Sequence, residues 1–262
     1  MNRLLSIVER KRVEVATAKL HVPQGELESV LAELPACRAL AGTLSVSGGP
    51  IRVIAEIKRA SPSAGVIGRD MDVATLSRAY QDHGASAISI LTDAVGFGGS
   101  LDDLRAARAQ VDLPLLRKDF IIDSYQLVES RCAGADAVLL IVAALPVGKL
   151  RDLHAAALAL GLEVLVEAHD ETELESALGV ENCRLIGLNS RNLATFDVDL
   201  ATAERLGPLV GPEVVVVAES GIRSAADVAR LRVSGFANFL VGEALVRSPD
   251  RGALLAELVG VR

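Results

Sequence analysis

The sequence contains no tryptophan and few other aromatic residues, with two tyrosines and five phenylalanines among 262 residues. Hydrophobic residues nevertheless make up 50% of the chain. The core must therefore be filled mostly by Val, Leu, Ile and Ala, a composition that suits layered α/β folds. So few aromatic side chains give little from which to infer a protein interface. The expected state is a monomer or a weak homo-oligomer.

Cysteine is also scarce, since Cys37, Cys132 and Cys183 are odd in number, widely spaced and free of any CxxC pattern. This argues against a disulfide framework and against a zinc site. No apolar run approaches the roughly 20 residues of a membrane span, and the first residues do not form a secretory signal. These absences predict a cytoplasmic protein that does not contact a membrane.

The charged residues contain no dense basic block. Lys and Arg number 27 against 34 Asp and Glu, which gives a formal net charge of −7. A nucleic-acid surface is therefore not expected, because such surfaces are basic patches, often with aromatic residues between the charges. An acidic chain can still bind a phosphate group locally.

Short β-branched or leucine-rich runs recur after the first fifty residues. Their starts lie roughly 22 to 35 residues apart, which leaves room for a strand, a loop, a helix and a return loop. The eight predicted strands are Val53–Lys58, Ala87–Thr92, Leu115–Lys118, Ala137–Ile141, Glu163–Glu167, Leu185–Asn189, Val214–Ser220 and Asn238–Gly242. Such alternation implies a parallel sheet, and eight units imply closure into a (β/α)8 barrel.

Helical patterns separate these strands and carry recognisable boundary residues. The predicted helices are Met71–His83, Leu101–Ala109, Ser124–Ala133, Val147–Leu160, Glu171–Leu178 and Ala225–Val233. Asp170 and Ser224 stand where an N-cap is expected. A doubly wound open sheet is the alternative fold, although RASPSAG after the first strand does not match the Gly-rich fingerprint of that class.

Residues 1–50 precede the first strand. Leu4–Leu20 is predicted as a charged amphipathic helix, and Gln24–Leu34 as a second helix stopped by Pro35. The segment AGTLSVSGGP is then a loop that leads into the barrel. Because residues 1–50 hold too little apolar content for a core of their own, we expect one domain over residues 1–262 with a packed N-terminal helical extension.

The predicted strand ends are unusually polar. In a strand, alternate side chains share a face, so Glu56 and Lys58 point one way, and Lys118 shares its face with Leu116 and Phe120. In barrels, reactive groups gather at the C-terminal ends of the strands. Taken singly, such charges also suit structural salt bridges that close the barrel mouth. The candidate catalytic set is Glu56, Lys58, Lys118, Glu167, Asn189, Arg191 and Ser220.

Two glycines predict a phosphate site. Ser220-Gly221 follows the seventh strand and Gly242-Glu243 follows the eighth, where backbone N–H groups can approach an anion. A helix N-terminus after these loops would add its positive dipole end. Together the two positions predict a phosphorylated small-molecule substrate.

Other candidates for chemistry are weaker. The four histidines show neither pairing nor HExxH spacing, so His169, like the others, is predicted to lie at the surface or in a helix. After the second strand, Asp93 and the glycines of GFGGS are expected to form a solvated loop near the mouth.

With these residues in view, the chain resembles the indole-3-glycerol phosphate synthase family. The resemblance runs from Ile51 onward and weakens in the N-terminal helix. It rests on the segments IAEIKRASPSAG, LLRKDFIIDSYQ, GADAVLLI, LVEAHDETEL, IGLNSRNL, AESGI and FLVGEAL, in that order. The chain departs from the family in the loop after strand two, where Ala94 and Gly96 are unexpectedly small.

The resemblance implies conversion of 1-(2-carboxyphenylamino)-1-deoxyribulose 5-phosphate to indole-3-glycerol phosphate, carbon dioxide and water, with no metal or organic cofactor. It implies that Lys118 is the general acid of ring closure. Glu167 would handle charge on the anilinium side, and Glu56 and Lys58 would transfer protons in the later dehydration.

The remaining positions are implied to bind the substrate. Asn189 and Arg191 would orient its hydroxyl and carboxylate groups, and Phe120 and Leu240 would pack on the aromatic ring. The implied binding set is Ser61, Phe120, Glu219, Gly221, Leu240, Gly242 and Glu243, joined at the phosphate by Ser220.

Two alternatives to this function stay open at the level of sequence. One is another phosphate-binding barrel enzyme, such as a sugar-phosphate isomerase or an aldolase, that uses Lys118 or Lys58 differently, for example to form a Schiff base. The other is a non-catalytic paralogue that keeps the barrel as a binding module, although such a protein would be expected to lose the charges at its strand ends.

Overall fold

The structure is a computed structural model that describes residues 3–44, 47–61, 65–68, 71–192, 195 and 197–260. Eight parallel strands form a closed barrel in which each strand pairs with its neighbours in the chain and the last pairs with the first. The barrel strands are β1 Arg52–Ile57, β2 Ala87–Leu91, β3 Leu115–Lys118, β4 Ala137–Ile141, β5 Glu163–Ala168, β6 Leu185–Asn189, β7 Val215–Glu219 and β8 Asn238–Val241. The predicted (β/α)8 barrel is confirmed, and the open-sheet alternative is wrong.

Alternation along the strands separates two apolar layers. On β1, Ile54 belongs to the cluster inside the barrel, whereas Val53, Ala55 and Ile57 belong to the cluster between strands and helices. The predicted assignment of faces on β1 is therefore confirmed. It leaves Glu56 pointing inward at the end of an apolar stripe.

Helices cover the outside of the barrel, and their bounds follow the chain order. Before β1 lie α1 Arg3–His21, α2 Gln24–Ser29 and α3 Leu40–Thr43, and between β1 and β8 lie α4 Val73–Asp82, α5 Ala94–Phe97, α6 Leu101–Arg108, α7 Ser124–Cys132, α8 Val147–Ala159, α9 Glu171–Leu178, α10 Ala201–Leu206 and α11 Ala225–Val233. After β8 follow α12 Glu243–Arg247 and α13 Arg251–Val259. Short 3-10 turns occupy Leu31–Glu33, Val142–Ala144 and Gly207–Leu209, and a small hairpin joins Ala60–Ser61 to Gly65–Val66.

The six helices predicted between strands are present, and their predicted N-caps hold. Asp170 accepts a hydrogen bond from the backbone of Glu173, and Ser224 forms a capping box with Asp227. Among the described residues, no helix is long and apolar enough to cross a membrane.

The N-terminal segment meets both ends of the barrel. From α1, Leu4 and Val8 join the inner apolar cluster at the C-terminal mouth. At the opposite end, the fully buried Leu40 joins the same cluster, and the backbone N–H of Ala41 donates to Glu163 at the start of β5 at 2.7 Å. The segment thus packs against each end of the inner core.

Two predictions for this segment are wrong in detail. The single helix expected over Gln24–Leu34 is divided into α2 and a 3-10 turn, because Glu33 and Leu34 donate to carbonyls three residues earlier and both pieces pack against α7. The loop expected over AGTLSVSGGP begins instead inside α3, where the burial of Leu40 outweighs the loop-like composition. Ser45 and Val46 of that loop lie outside the described residues.

Candidate active site

A cavity of about 460 Å³ opens at the C-terminal ends of the barrel strands. Every site residue predicted from the sequence lines this cavity. They are Glu56, Lys58, Ser61, Lys118, Phe120, Glu167, Asn189, Arg191, Glu219, Ser220, Gly221, Leu240, Gly242 and Glu243. The residues predicted at the ends of six strands therefore meet in one cavity.

Lys118 lies at the centre of this charge cluster. It ends β3, and its Nζ atom lies 2.7 Å from Oε2 of Glu167 and 2.5 Å from Oε2 of Glu219. Burial on its own would lower the pKa of Lys118, but the charges of Glu167 and Glu219 outweigh burial and raise that pKa above its usual range. Lys118 therefore carries its proton throughout the neutral range and can act as an acid.

The two carboxyl groups that contact Lys118 differ in protonation. Burial, together with the charge of Glu167, raises the pKa of Glu219 to about 8 in spite of Lys118. Burial acts on Glu167 in the same direction, but Lys118 and His169 outweigh it, and the pKa of Glu167 lies well below its usual range. At neutral pH the site thus holds an ionised carboxylate on Glu167 beside a neutral acid on Glu219. Two carboxyl groups whose pKa values differ in this way can supply one base and one acid.

A second amine and carboxylate pair ends β1. Nζ of Lys58 lies 2.6 Å from Oε1 of Glu56, which is buried. A Cβ atom at Gly242 would collide with that same Oε1 atom, so the glycine after β8 leaves room for the Glu56 side chain. The sequence had offered only anion approach as a reason for glycine at this position.

The comparison with known protein families agrees with this site geometry. The family model described as indole-3-glycerol phosphate synthase matches residues 4–258. The chain belongs to the indole-3-glycerol phosphate synthase family. Among curated proteins, an indole-3-glycerol phosphate synthase of Desulfosudis oleivorans is 47% identical over 98% of both chains. One from Rhodopirellula baltica is 46% identical over 95% of this chain and 96% of its own length.

Solved structures support the fold at lower similarity. The 3-hexulose-6-phosphate synthase of Salmonella typhimurium superimposes with a TM-score of 0.63 at 15% identity, over 80% of this chain and 98% of that one. Thiamine phosphate pyrophosphorylase of Pyrococcus furiosus gives 0.61 at 16% identity, over 85% and 97% of the two chains. At this identity the likeness concerns the barrel alone.

The loop after β7 adopts a backbone conformation that few side chains allow. Ser220 has φ of 65° and Gly221 has φ of 84°, so two consecutive residues are left-handed. A Cβ atom at Gly221 would also lie 2.7 Å from the Val198 side chain. Non-glycine residues at positive φ cluster at functional sites, and this one lies in the cavity lining.

Charged groups surround the loop after β8. The Glu243 carboxylate lies 3.6 Å from Arg191 and 3.2 Å from Arg247, so cations hold its negative charge. Arg223 and Arg247 also line the cavity, although neither was predicted from the sequence. The backbone N–H of Arg191 in turn donates to Oδ1 of Asn189 at 3.0 Å, which fixes the turn after β6.

The wall nearest α1 differs from the sequence-based expectation. The segment after β2 was expected to be a solvated loop, but Ala94–Phe97 forms α5 and Asp93 is fully buried. Asp93 caps α5 through the Gly96 N–H and lies 3.0 Å from Nζ of Lys11. The ion pair with Lys11 thus stabilises the Asp93 carboxylate in place of water. The helix that Asp93 caps ends at Phe97, which lines the cavity 6.3 Å from the ring of Phe120.

His169 is the functional candidate that the sequence reasoning missed. It follows β5 and lies neither at the open surface nor in a helix, with its Nε2 atom 3.3 Å from Oε1 of Glu167. The signal was present, because the two-residue alternation used for Glu56 and Lys58 also puts Glu167 and His169 on one face. Among the described residues, no group of three or more His, Cys, Asp and Glu side chains could hold a metal ion.

Proposed function

We propose that this chain catalyses the ring closure, decarboxylation and dehydration of 1-(2-carboxyphenylamino)-1-deoxyribulose 5-phosphate to indole-3-glycerol phosphate. It is then a carbon–carbon lyase of the carboxy-lyase type in tryptophan biosynthesis. The observation that carries the proposal is a protonated Lys118 held by two carboxyl groups in the cavity, in a chain that matches the family model. Neither alternative function has an observation of this kind in its favour.

Ring closure needs a proton donor at the substrate ketone, and Lys118 fills that role. Its ammonium group is the cation that Glu167 and Glu219 share, so it is charged before the substrate arrives. Transfer of its proton as the ring carbon attacks leaves a neutral hydroxyl group. A positioned acid of this kind contributes roughly 10²- to 10⁴-fold to the rate.

The later steps need a base and a second acid. Loss of carbon dioxide leaves an electron pair that the iminium-like ring nitrogen absorbs, and Glu167 accepts charge on that side. In the dehydration, Lys58 gives a proton to the hydroxyl group that leaves as water, and Glu56, which lies 2.6 Å from Lys58, takes the proton lost from the adjacent carbon. The neutral carboxyl of Glu219 lies beside Lys118, so Glu219 belongs with the proton-transfer groups as well as with substrate binding.

We assign the two ends of the substrate to two groups of residues that line the cavity. Ser220, Gly221, Gly242 and Glu243 hold the phosphate through backbone N–H groups and the start of α12, with Ser61 beside them. Phe120 and Leu240 pack on the aromatic ring, and Asn189 and Arg191 orient polar substituents.

We further propose that residues 1–262 form one domain with residues 1–50 as its helical extension, acting in the cytoplasm as a monomer or a weak homo-oligomer. The contacts of Leu4 and Leu40 with the inner barrel cluster support the first part.

The test is an assay of the purified protein with the proposed substrate, following indole fluorescence in a chain that has no tryptophan of its own. We expect turnover in the unaltered protein and its near-complete loss in Lys118→Ala, with substrate still raising the melting temperature of the variant. Near-normal turnover of Lys118→Ala would rule out its role as the acid. Lack of turnover in the unaltered protein would refute the proposed function.

A trapping experiment separates the Schiff-base alternative. Borohydride added during turnover would attach substrate covalently to a lysine only if the reaction passes through an imine with the protein. We expect no increase in mass.

A further inference from the structure

His169 lies directly behind the proposed base. It is two residues beyond Glu167, directly after the end of β5, and only 10% of its side chain is exposed. Its Nε2 atom lies 3.3 Å from Oε1 of Glu167, and its Nδ1 atom lies 2.8 Å from Oε2 of Glu173 on α9. The ring therefore stands between a carboxylate of the cavity and a carboxylate of an outer helix.

The surroundings of the ring favour its charged form. Nδ1 pairs with Glu173, and Nε2, which has no hydrogen-bond partner among the described residues, lies within ion-pair distance of Glu167, so two carboxylates face one imidazolium. Glu173 is itself fixed, because its Oε2 atom also accepts from the backbone N–H of His169 at 2.9 Å. Burial favours the neutral ring, but Glu167 and Glu173 outweigh burial and raise the pKa of His169 to about 10.

The His169 cation makes the surroundings of Glu167 differ from those of Glu219, although both carboxyl groups contact Lys118. Lys118 contacts both Glu167 and Glu219, with Glu56 contributing charge from farther away. His169 contacts Glu167 alone, whereas Oε1 of Glu219 is buried and meets no hydrogen-bond partner among the described residues. A proton shared by the pair therefore settles on Glu219, and Glu167 is left charged.

We propose that His169 is a positioning residue that keeps Glu167 ionised as the base of the reaction by holding its Oε1 atom on the side away from Lys118. The inference rests on the proposed function for its kinetic consequence, but not for its charge state. His169 touches no reacting atom, so its effect passes through Glu167.

The kinetic test compares His169→Asn with His21→Asn, a matched substitution at an exposed site in α1. Loss of the imidazolium raises the pKa of Glu167, so less of the base is ionised as the pH falls. We expect the acidic limb of kcat to move upward by about one pH unit or more, with KM little changed and kcat near normal well above the limb. Glu173→Gln should move the limb in the same direction by less.

An equal loss of kcat at every pH, or an unchanged profile, would overturn the inference, because a merely structural role does not move the limb. His21→Asn should reproduce the unaltered profile. A shift of the same size in that control would also overturn it.

An NMR titration separates this inference from the proposed function. Ring ¹⁵N shifts, assigned by the loss of signals in His169→Asn, should show an imidazolium up to pH 8, and ¹³C shifts should show the Glu167 carboxyl pKa rising in the variant. Titration of His169 near its ordinary value of about 6.5 would refute the inference even if the protein turns the substrate over. Failure of turnover together with a persistent imidazolium and the expected Glu167 shift would refute the proposed function and support the positioning of Glu167.

Discussion

Lys11 is the buried charge on which the placement of α1 depends. The inward stripe of α1 consists of Leu4, Val8, Lys11 and Val15, so a lysine occupies an otherwise apolar face. Its Nζ atom lies 3.0 Å from Asp93 and 2.9 Å from Asp119, and only 5% of its side chain is exposed. Asp93 precedes α5 and Asp119 follows β3, so one ammonium joins the helix to two loops at the mouth.

We predict that Lys11→Met destabilises the protein by about 3 kcal/mol, the low end of the roughly 3–5 kcal/mol for breaking a buried ion pair. The low end applies because each aspartate keeps another cation. Asp93 keeps Arg10 at 2.8 Å, and Asp119 keeps Arg117 at 2.9 Å. For a chain of this size the melting temperature should fall by about 6–12 °C.

The assay is thermal unfolding followed by circular dichroism, with Arg12→Met as the matched control on the next residue. Arg12 pairs with Glu9 at the surface, and both side chains are more than half exposed. Such pairs contribute about 0–1 kcal/mol, so the control should melt within a few degrees of the unaltered protein. An unchanged melting temperature in Lys11→Met, or an equal fall in the control, would refute the reasoning.

The same variant should alter catalysis in a specific way. Leu4 and Ile7 of α1 line the cavity, whereas Lys118 and its carboxyl partners come from the strands. Looser docking of α1 should therefore raise KM, while kcat falls less, because Arg117 still holds Asp119 next to the acid. A loss confined to kcat would contradict this division of roles.

Two further predictions concern Glu219. In Gly187→Ala the new methyl group would collide with Oε1 of Glu219, so kcat should fall by about 10²-fold because the Glu219 carboxyl is displaced. The control is Gly211→Ala, where no atom lies within 4 Å of the added Cβ. Full activity of Gly187→Ala would contradict the packing argument. Because the pKa of Glu219 is raised to about 8, activity should fall as the pH rises through that value and the acid loses its proton. Glu219→Gln, which cannot ionise, should lose that alkaline limb in a pH profile of kcat, and a limb that persists would assign it to another group.

The strands were predictable because they combine two independent signals. An apolar run with alternating faces predicts each strand, and a polar residue at its end predicts the mouth. Glu56, Lys118 and Glu167 follow from these signals alone, without any knowledge of strand pairing. Short helices were harder, since α3 and α12 have four and five residues and no complete period. Their positions depend on burial against the barrel.

The buried ion pairs could not be predicted from the sequence. Arg10 and Asp93 are 83 positions apart, and nothing in their local sequence distinguishes them from solvated surface charges. Asp93 followed by Ala, Val and Gly has the composition of a loop, so its default interpretation was solvation. Only the position of α1 across the mouth turns it into the partner of two cations.

The segment from Arg117 to Phe120 shows why these outer charges matter to the inner site. Lys118, Asp119 and Phe120 line the cavity, whereas Arg117 does not, and both Arg117 and Asp119 are buried. Arg117 is held by Asp119 at 2.9 Å and by Glu129 at 2.8 Å, and Lys11 binds the other oxygen of Asp119, which also accepts from the backbone N–H of Phe120.

A catalytic group must be fixed to about 0.5 Å to act in proton transfer, and the flexible lysine chain cannot provide this by itself. The alternation of β3 solves the problem, because every contact that fixes Arg117 and Asp119 also fixes the backbone from which Lys118 projects. Through Asp93 and Asp119, Lys11 thereby connects the packing position of α1 to the position of Lys118, although Lys11 lies outside the barrel core.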